Sequence, residues 1–155
     1  MAKPTTALRF ERLDCAGLRV FAAWFDEGEL RRRLSAPDEA WFRYVSAGAG
    51  NGAWLAYEGE RAVGQVQLDA APDGTGSLSL AVHPALRGRG YGGRILAAFL
   101  RGEEALRLGE ITACIEADNA ASLRCFRACG FVPRGDGPDA DGLIEHVLTR
   151  EAGLP

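Results

Sequence analysis

The chain has 155 residues, enough for one domain with a proper core, and we read 1–155 as that single domain. Its apolar content of 47% and charged content of 25% are those of an ordinary globular protein, and the net charge of −3 argues against a nucleic-acid partner, which calls for a basic field. The N-terminal stretch from Met1 to Thr6 lacks the apolar core of a signal peptide, and the longest aliphatic and aromatic run, Ile95 to Leu100, is far too short to cross a bilayer. A cytoplasmic protein with no membrane role is expected. The four cysteines, Cys15, Cys114, Cys125 and Cys129, form no Cys-x-x-Cys, and two histidines, His83 and His146, add little ligand capacity, so neither a metal nor a disulfide is expected.

In chain order, Thr5 to Leu13 reads as a first strand. Cys15 to Glu27 reads as a helix with Leu18, Phe21, Ala22 and Phe25 on one face, and Arg31, Arg32 and Arg33 after it as a solvated face. Ser35 is the expected N-cap of a second helix, with Trp41, Tyr44 and Val45 as its buried stripe, either core packing or one wall of a substrate groove. Ala53 to Tyr57 and Ala62 to Leu68 form an expected antiparallel hairpin around Glu58-Gly59-Glu60-Arg61. The turn Ala71 to Gly76 leads into a strand at Ser77 to Val82. A helix from Tyr91 to Leu100, extended to Leu108 and stopped by Gly109, precedes a strand at Ile111 to Ile115, and strand, helix and strand make a parallel βαβ unit. A helix at Ala120 to Cys129 ends at Gly130; a short strand (Phe131 to Pro133), a loop (Arg134 to Gly142) and a last strand (Leu143 to Leu148) complete the chain.

The chemistry concentrates between the strand at Ser77 to Val82 and the helix that follows. Val82-His83-Pro84 is succeeded by Arg87 and by four glycines within six residues, Gly88, Gly90, Gly92 and Gly93. A strand, a glycine-rich turn and a helix N-terminus make an anion site: the first helical N–H groups are unpaired, the helix end is partially positive, and glycine admits a ligand close to the backbone. A Walker loop needs Gly-Lys-Ser/Thr, and the only lysine is Lys3. The dinucleotide pattern matches at Gly88, Gly90 and Gly93, but its strand should run almost directly into the first glycine, and too little chain follows for further βαβ units. The remaining pattern is Arg-x-x-Gly-x-Gly at Arg87, Gly90 and Gly92.

Together with Asn119-Ala120-Ala121-Ser122 and Gly130-Phe131 in the right order, this pattern resembles the GNAT superfamily of acyl-CoA N-acyltransferases from roughly Trp54 to Leu148. The resemblance implies an α/β (α+β) fold with a mixed, mostly antiparallel sheet of six to seven strands. That sheet splays between its fourth and fifth strands and is flanked by about four helices. It implies acetyl-CoA as co-substrate, held by backbone at Leu80, Ala81 and Val82, by the turn Arg87, Gly88, Arg89, Gly90, Tyr91 and Gly92, and by Asn119, Ser122 and Phe126. The implied reaction is direct acetyl transfer to a primary amine of a small molecule or a peptide. It needs a base for the ammonium, a donor for the oxyanion and an acid for the sulfur. Many relatives carry a tyrosine acid where this chain has Phe126, which has no proton to give. Ser122 is the candidate acid in its place, although a serine here also suits a simple bond to the helix backbone. The candidate bases are His83 and Glu116, with Asp69, His146 and a water relay as alternatives. The acidic loop Asp136, Asp139 and Asp141 is either a solvated turn or an attractor for a cationic acceptor. A CoA-binding module without catalysis is the alternative function, and a homodimer is left open.

Overall fold

A computed structural model describes residues 6–48 and 50–151. Seven strands form one sheet in the order β1-β2-β3-β4-β5-β7-β6: β1 (Leu8–Arg12), β2 (Asn51–Glu58), β3 (Arg61–Ala70), β4 (Thr75–Val82), β5 (Glu110–Glu116), β6 (Val132–Pro133) and β7 (Leu143–Thr149). Every neighbouring pair is antiparallel except β4 and β5. The parallel exception follows from the crossover through α4 (Tyr91–Leu100), as the βαβ reading requires. The expected first strand narrows to β1, and Thr5 lies outside the described residues.

Among the described residues the α-helices number six, where about four were expected, for local reasons. The segment from Cys15 to Glu27 is α1 (Cys15–Ala23) followed by a 3-10 turn at Trp24–Asp26. A separate helix, α2 (Gly28–Arg33), then starts from Glu27, whose carboxylate caps it by accepting the N–H of Leu30 at 2.9 Å. Next comes α3 (Glu39–Ser46), capped by Asp38 rather than Ser35: the Asp38 side chain accepts the Trp41 N–H at 2.8 Å. Val45 of α3 is buried, but Tyr44 is 48% exposed, which corrects the expected buried stripe. The helix after the glycine turn does not continue to Leu108. It stops at Leu100, and a short α5 (Glu103–Leu106) follows Gly102. Last comes α6 (Ala120–Ala128), ending before Gly130, whose φ of +98° suits a glycine C′ position.

The two faces of the sheet carry separate cores. Under α4, α5 and α6 lie Trp54, Val66, Leu68, Ile95, Leu96, Phe99, Ile111, Phe126 and Phe131. Under α1, α2 and α3 lie Ala53, Leu55 and Ala81, with Phe21, Trp24, Phe25 and Leu30 from above. Period-two alternation in the strands sends successive side chains to the two layers.

Candidate active site

The pairing of β4 with β5 runs only from Thr75 opposite Glu110 to Ser77 opposite Thr112. Beyond Ser77 the two strands part, leaving a V-shaped gap between Leu78–Val82 on one side and residues 113–116 on the other. The backbone along that gap is directional. The N–H of His83 bonds the Val63 carbonyl of β3 at 2.9 Å. Because backbone groups alternate in direction along a strand, Ala81 also faces β3, whereas Leu80 and Val82 turn theirs into the gap. Two backbone sites in the open edge therefore await a partner from outside the sheet.

The glycine turn stands at the mouth of this gap. After His83 the chain makes a 3-10 turn, Pro84–Leu86, with Leu86 buried as its anchor. Gly88 and Gly90 then take φ of +74° and +80°, and Gly90 is the N-cap of α4. The left-handed φ accounts for glycine at both, since an added Cβ would meet nothing within 4 Å at either. At Gly92 a Cβ would make only ordinary contacts, 3.4 Å from Cys125 Sγ and 3.5 Å from Val82, so neither φ nor crowding demands glycine there. The N–H groups at the start of α4 thus point out of an exposed turn carrying Arg87 and Arg89. The Tyr91 side chain turns away, donating to Glu58 Oε1 at 2.5 Å, while Arg94 holds Glu58 Oε2 at 2.8 Å. Only the Tyr91 backbone is left for an anion.

On the opposite lip, Asn119 caps α6 by accepting the Ser122 N–H at 3.3 Å. This places the half-buried Ser122 in the first turn of a helix beside the gap. Phe126, one turn further on, lies in the core at 3% exposure with its ring centroid 5.0 Å from that of Phe131.

The candidate bases have very different surroundings. His83 packs its ring 5.0 Å from Trp24, and its Nδ1 accepts the Ala85 N–H at 3.1 Å. Burial, and then the charge of Arg61, push its pKa below the usual histidine value. A neutral ring accepting at Nδ1 carries its proton on Nε2. Glu116 is bound by Arg33 Nη1 at 3.0 Å. His146 is fully buried on the far face, bonded to Arg127 at 3.3 Å and to the Ile144 carbonyl at 3.0 Å. Asp69 lies on β3 opposite Ser77, on the α3 side, at the closed end of the gap.

Spacing alone did not reveal what α2 does. The arginine run is not wholly a solvated face: the Arg33 side chain is only 13% exposed and binds Glu29, Glu116 and Asp118 at 2.9, 3.0 and 2.5 Å. The hydrogen bond with Arg33 holds the Asp118 carboxyl below the ordinary aspartate range. At the other end of the same helix, Glu27 pairs with Arg87 at 2.9 Å. A helix of six residues therefore ties the turn after β4 to the end of β5, across the gap. In the acidic loop, Asp139 is a turn-builder whose Oδ1 accepts the N–H of Asp141 at 2.9 Å and of Leu143 at 3.0 Å. Among the described residues, no cluster of three or more potential metal ligands occurs, and no helix is long and apolar enough to cross a membrane. A cavity of about 600 Å³ lies at the other end of the sheet, between Arg12, Trp54 and Arg107, away from the glycine turn.

A sheet split beside a helix N-terminus, with the backbone of Leu80 and Val82 turned into the split, is the geometry that defines the class of fold. Comparison with known proteins gives that class a family. The family model for acetyltransferases of the GNAT family matches residues 18–131. An uncharacterized N-acetyltransferase of Bacillus subtilis (strain 168), YfmK, is 32% identical over 143 residues, covering 90% of this chain and 95% of that protein. Among solved structures, a spermidine N-acetyltransferase from Vibrio cholerae in complex with CoA and spermine superposes with a TM-score of 0.78 at 14% identity, over 94% of this chain and 96% of that one. The aminoglycoside acetyltransferase AAC(6')-Ib in complex with coenzyme A gives 0.76 at 18% identity, over 94% and 96%. The chain belongs to the GNAT family of acetyltransferases.

Proposed function

We propose that this protein transfers the acetyl group of acetyl-CoA to a primary amine of a small molecule or a peptide. The observation that carries the reading is the parting of β4 and β5 after Ser77, with the backbone of Leu80 and Val82 facing the gap and the glycine turn at its mouth. The fit is chemical on both counts. A diphosphate suits N–H groups at a helix start flanked by Arg87 and Arg89, and a chain of amides suits an open strand edge. When bound, acetyl-CoA supplies a thioester carbonyl activated for attack by an amine.

The chain's own groups then have distinct tasks. The N–H groups from Gly88 to Gly92 and the Arg87 guanidinium hold negative charge, although Arg87 must share itself with Glu27. The N–H groups of Leu80 and Val82 offer preorganised donors where negative charge develops on the carbonyl oxygen. Ser122 is positioned at the start of α6 to give a proton to the departing sulfur, a modest task because a thiol has a pKa of about 8.5. His83, with its Nδ1 engaged and its proton on Nε2, and Glu116, paired with Arg33, are poorly prepared as direct bases. A water relay fits this arrangement better.

The test is thiol release with acetyl-CoA and a panel of polyamines, aminoglycosides, amino acids and peptides, alongside a thermal shift with acetyl-CoA. Stabilisation by acetyl-CoA and thiol release with at least one amine are expected. The two engaged bases favour one other reading, a CoA-binding module without catalysis. Stabilisation without release across the panel would select it, and no stabilisation at all would overturn both readings.

A further inference from the structure

The face of β3 beneath α3 carries three polar residues in succession, Gln65, Gln67 and Asp69, where the opposite face of the same strand has Val66 and Leu68. Such a stripe on a covered face costs desolvation unless each group finds a partner. Gln67 is fully committed. Its Oε1 accepts the Trp41 indole N–H at 3.0 Å, and its Nε2 donates to Asp69 Oδ2 at 3.1 Å. The Tyr44 side chain lies near the same carboxylate, and burial, then that negative charge, push its hydroxyl pKa above the usual tyrosine value. Gln65 is 3% exposed, and its Nε2 has no partner among the described residues. Asp69 thus accepts from one neutral donor, the Gln67 amide, and, among the described residues, pairs with no cation. Burial raises its pKa above the ordinary aspartate value, and no positive group works against that shift.

We propose that Asp69 is the specificity-determining anchor for a second, non-reacting cationic nitrogen of the acceptor, so that the enzyme selects amines carrying two positive charges. This rests on the acetyl-transfer reading above and adds the class of acceptor.

Position and chemistry both support it. Asp69 lies opposite Ser77, the last β4 residue paired with β5, so it stands where the gap closes. Leu80, whose backbone faces the gap, is three residues further along β4, roughly 10 Å at about 3.3 Å per residue. That separation suits two nitrogens in one small molecule. The nitrogen at Asp69 is not the one that reacts. A carboxylate in contact stabilises the ammonium form, whereas attack on a thioester needs the neutral amine. The Tyr44 ring beside the carboxylate is 48% exposed and gives the same cation an aromatic face.

The experiment compares 1,6-diaminohexane with hexylamine, matched in length, in the wild type, Asp69→Asn and Asp69→Glu. In Asp69→Asn the KM for the diamine should rise at least tenfold, with the KM for hexylamine and for acetyl-CoA and the melting temperature little changed. Asp69→Glu should recover part of the loss. An unchanged diamine KM, or an equal rise for both amines, would overturn the proposal. Should neither amine be acetylated, calorimetric binding of 1,6-diaminohexane to the CoA-loaded protein still decides. Weaker binding to Asp69→Asn than to the wild type supports the anchor. Equal binding, or none to either, refutes it, while the acetyl-transfer reading is judged separately by thiol release with the wider panel.

Discussion

The two faces of the sheet obey different rules. On the side of α4 and α6, strand residues are apolar almost without exception, and the one buried histidine, His146, has both ring nitrogens engaged. On the side of α1 to α3, the apolar patch around Leu55 and Ala81 gives way to Gln65, Gln67, Asp69, Ser77 and Ser79 as β3 and β4 approach the closed end of the gap. The first face is organised for cohesion. The second keeps polar groups that cohesion alone would have replaced, and the cleft opens beside them. The difference separates substitutions expected to unfold the protein from those expected to disable it while folded.

The largest effect should come from the cohesive face. Phe131→Ala removes a ring that is 1% exposed and packed on Phe126, and should cost about 3–5 kcal/mol in urea unfolding. A loss below about 1 kcal/mol would mean that this layer is not the main core. Next comes the glycine turn. Gly90→Val places a β-branched residue at φ +80° at the start of α4, and should weaken acetyl-CoA binding by tenfold or more in calorimetry, with a smaller fall in stability. Unchanged affinity would remove the turn from the cofactor site.

The ion pairs of α2 give a pH-dependent prediction. Asp118 titrates below its usual range in the folded protein because of Arg33, so its contribution to stability is present above the ordinary carboxylate pKa and is lost as the pH falls through the depressed one. The melting-temperature difference between the wild type and Arg33→Met should therefore be largest near neutrality and shrink in acid. A difference independent of pH would show that Arg33 acts by packing. The smallest effect is expected from Ser122→Ala, about tenfold or less in kcat with the acetyl-CoA KM preserved, because the leaving thiolate needs little assistance. A loss of a thousandfold would make Ser122 far more than a proton donor to sulfur.

Much of this was legible in the residue order. Local chemistry marks the glycine turn, the Asn119 cap, the hairpin around Gly59 and the alternating strands, and their spacing sets a parallel crossover, while the split beside it was implied only by the family resemblance. What the order concealed was distance along the chain. Arg33 meets Glu116 across 83 residues and Trp41 meets Gln67 across 26, so a run of three arginines looked like a wetted surface, and the aromatic stripe, read as core packing or a groove wall, carried no sign of its partner on β3. The cap of α3 was misplaced because Ser35 and Asp38 are both good caps, and Asp38 is the one whose carboxylate reaches an amide three residues on.

The double tether of α2 has a mechanical consequence. Its leading end is fastened to the turn after β4 and its trailing end to the end of β5, each by an ion pair whose carboxylate is open to solvent. Prising the two strands further apart must rupture a contact at one end or the other, so the aperture between them is set by a clasp whose grip weakens as salt rises.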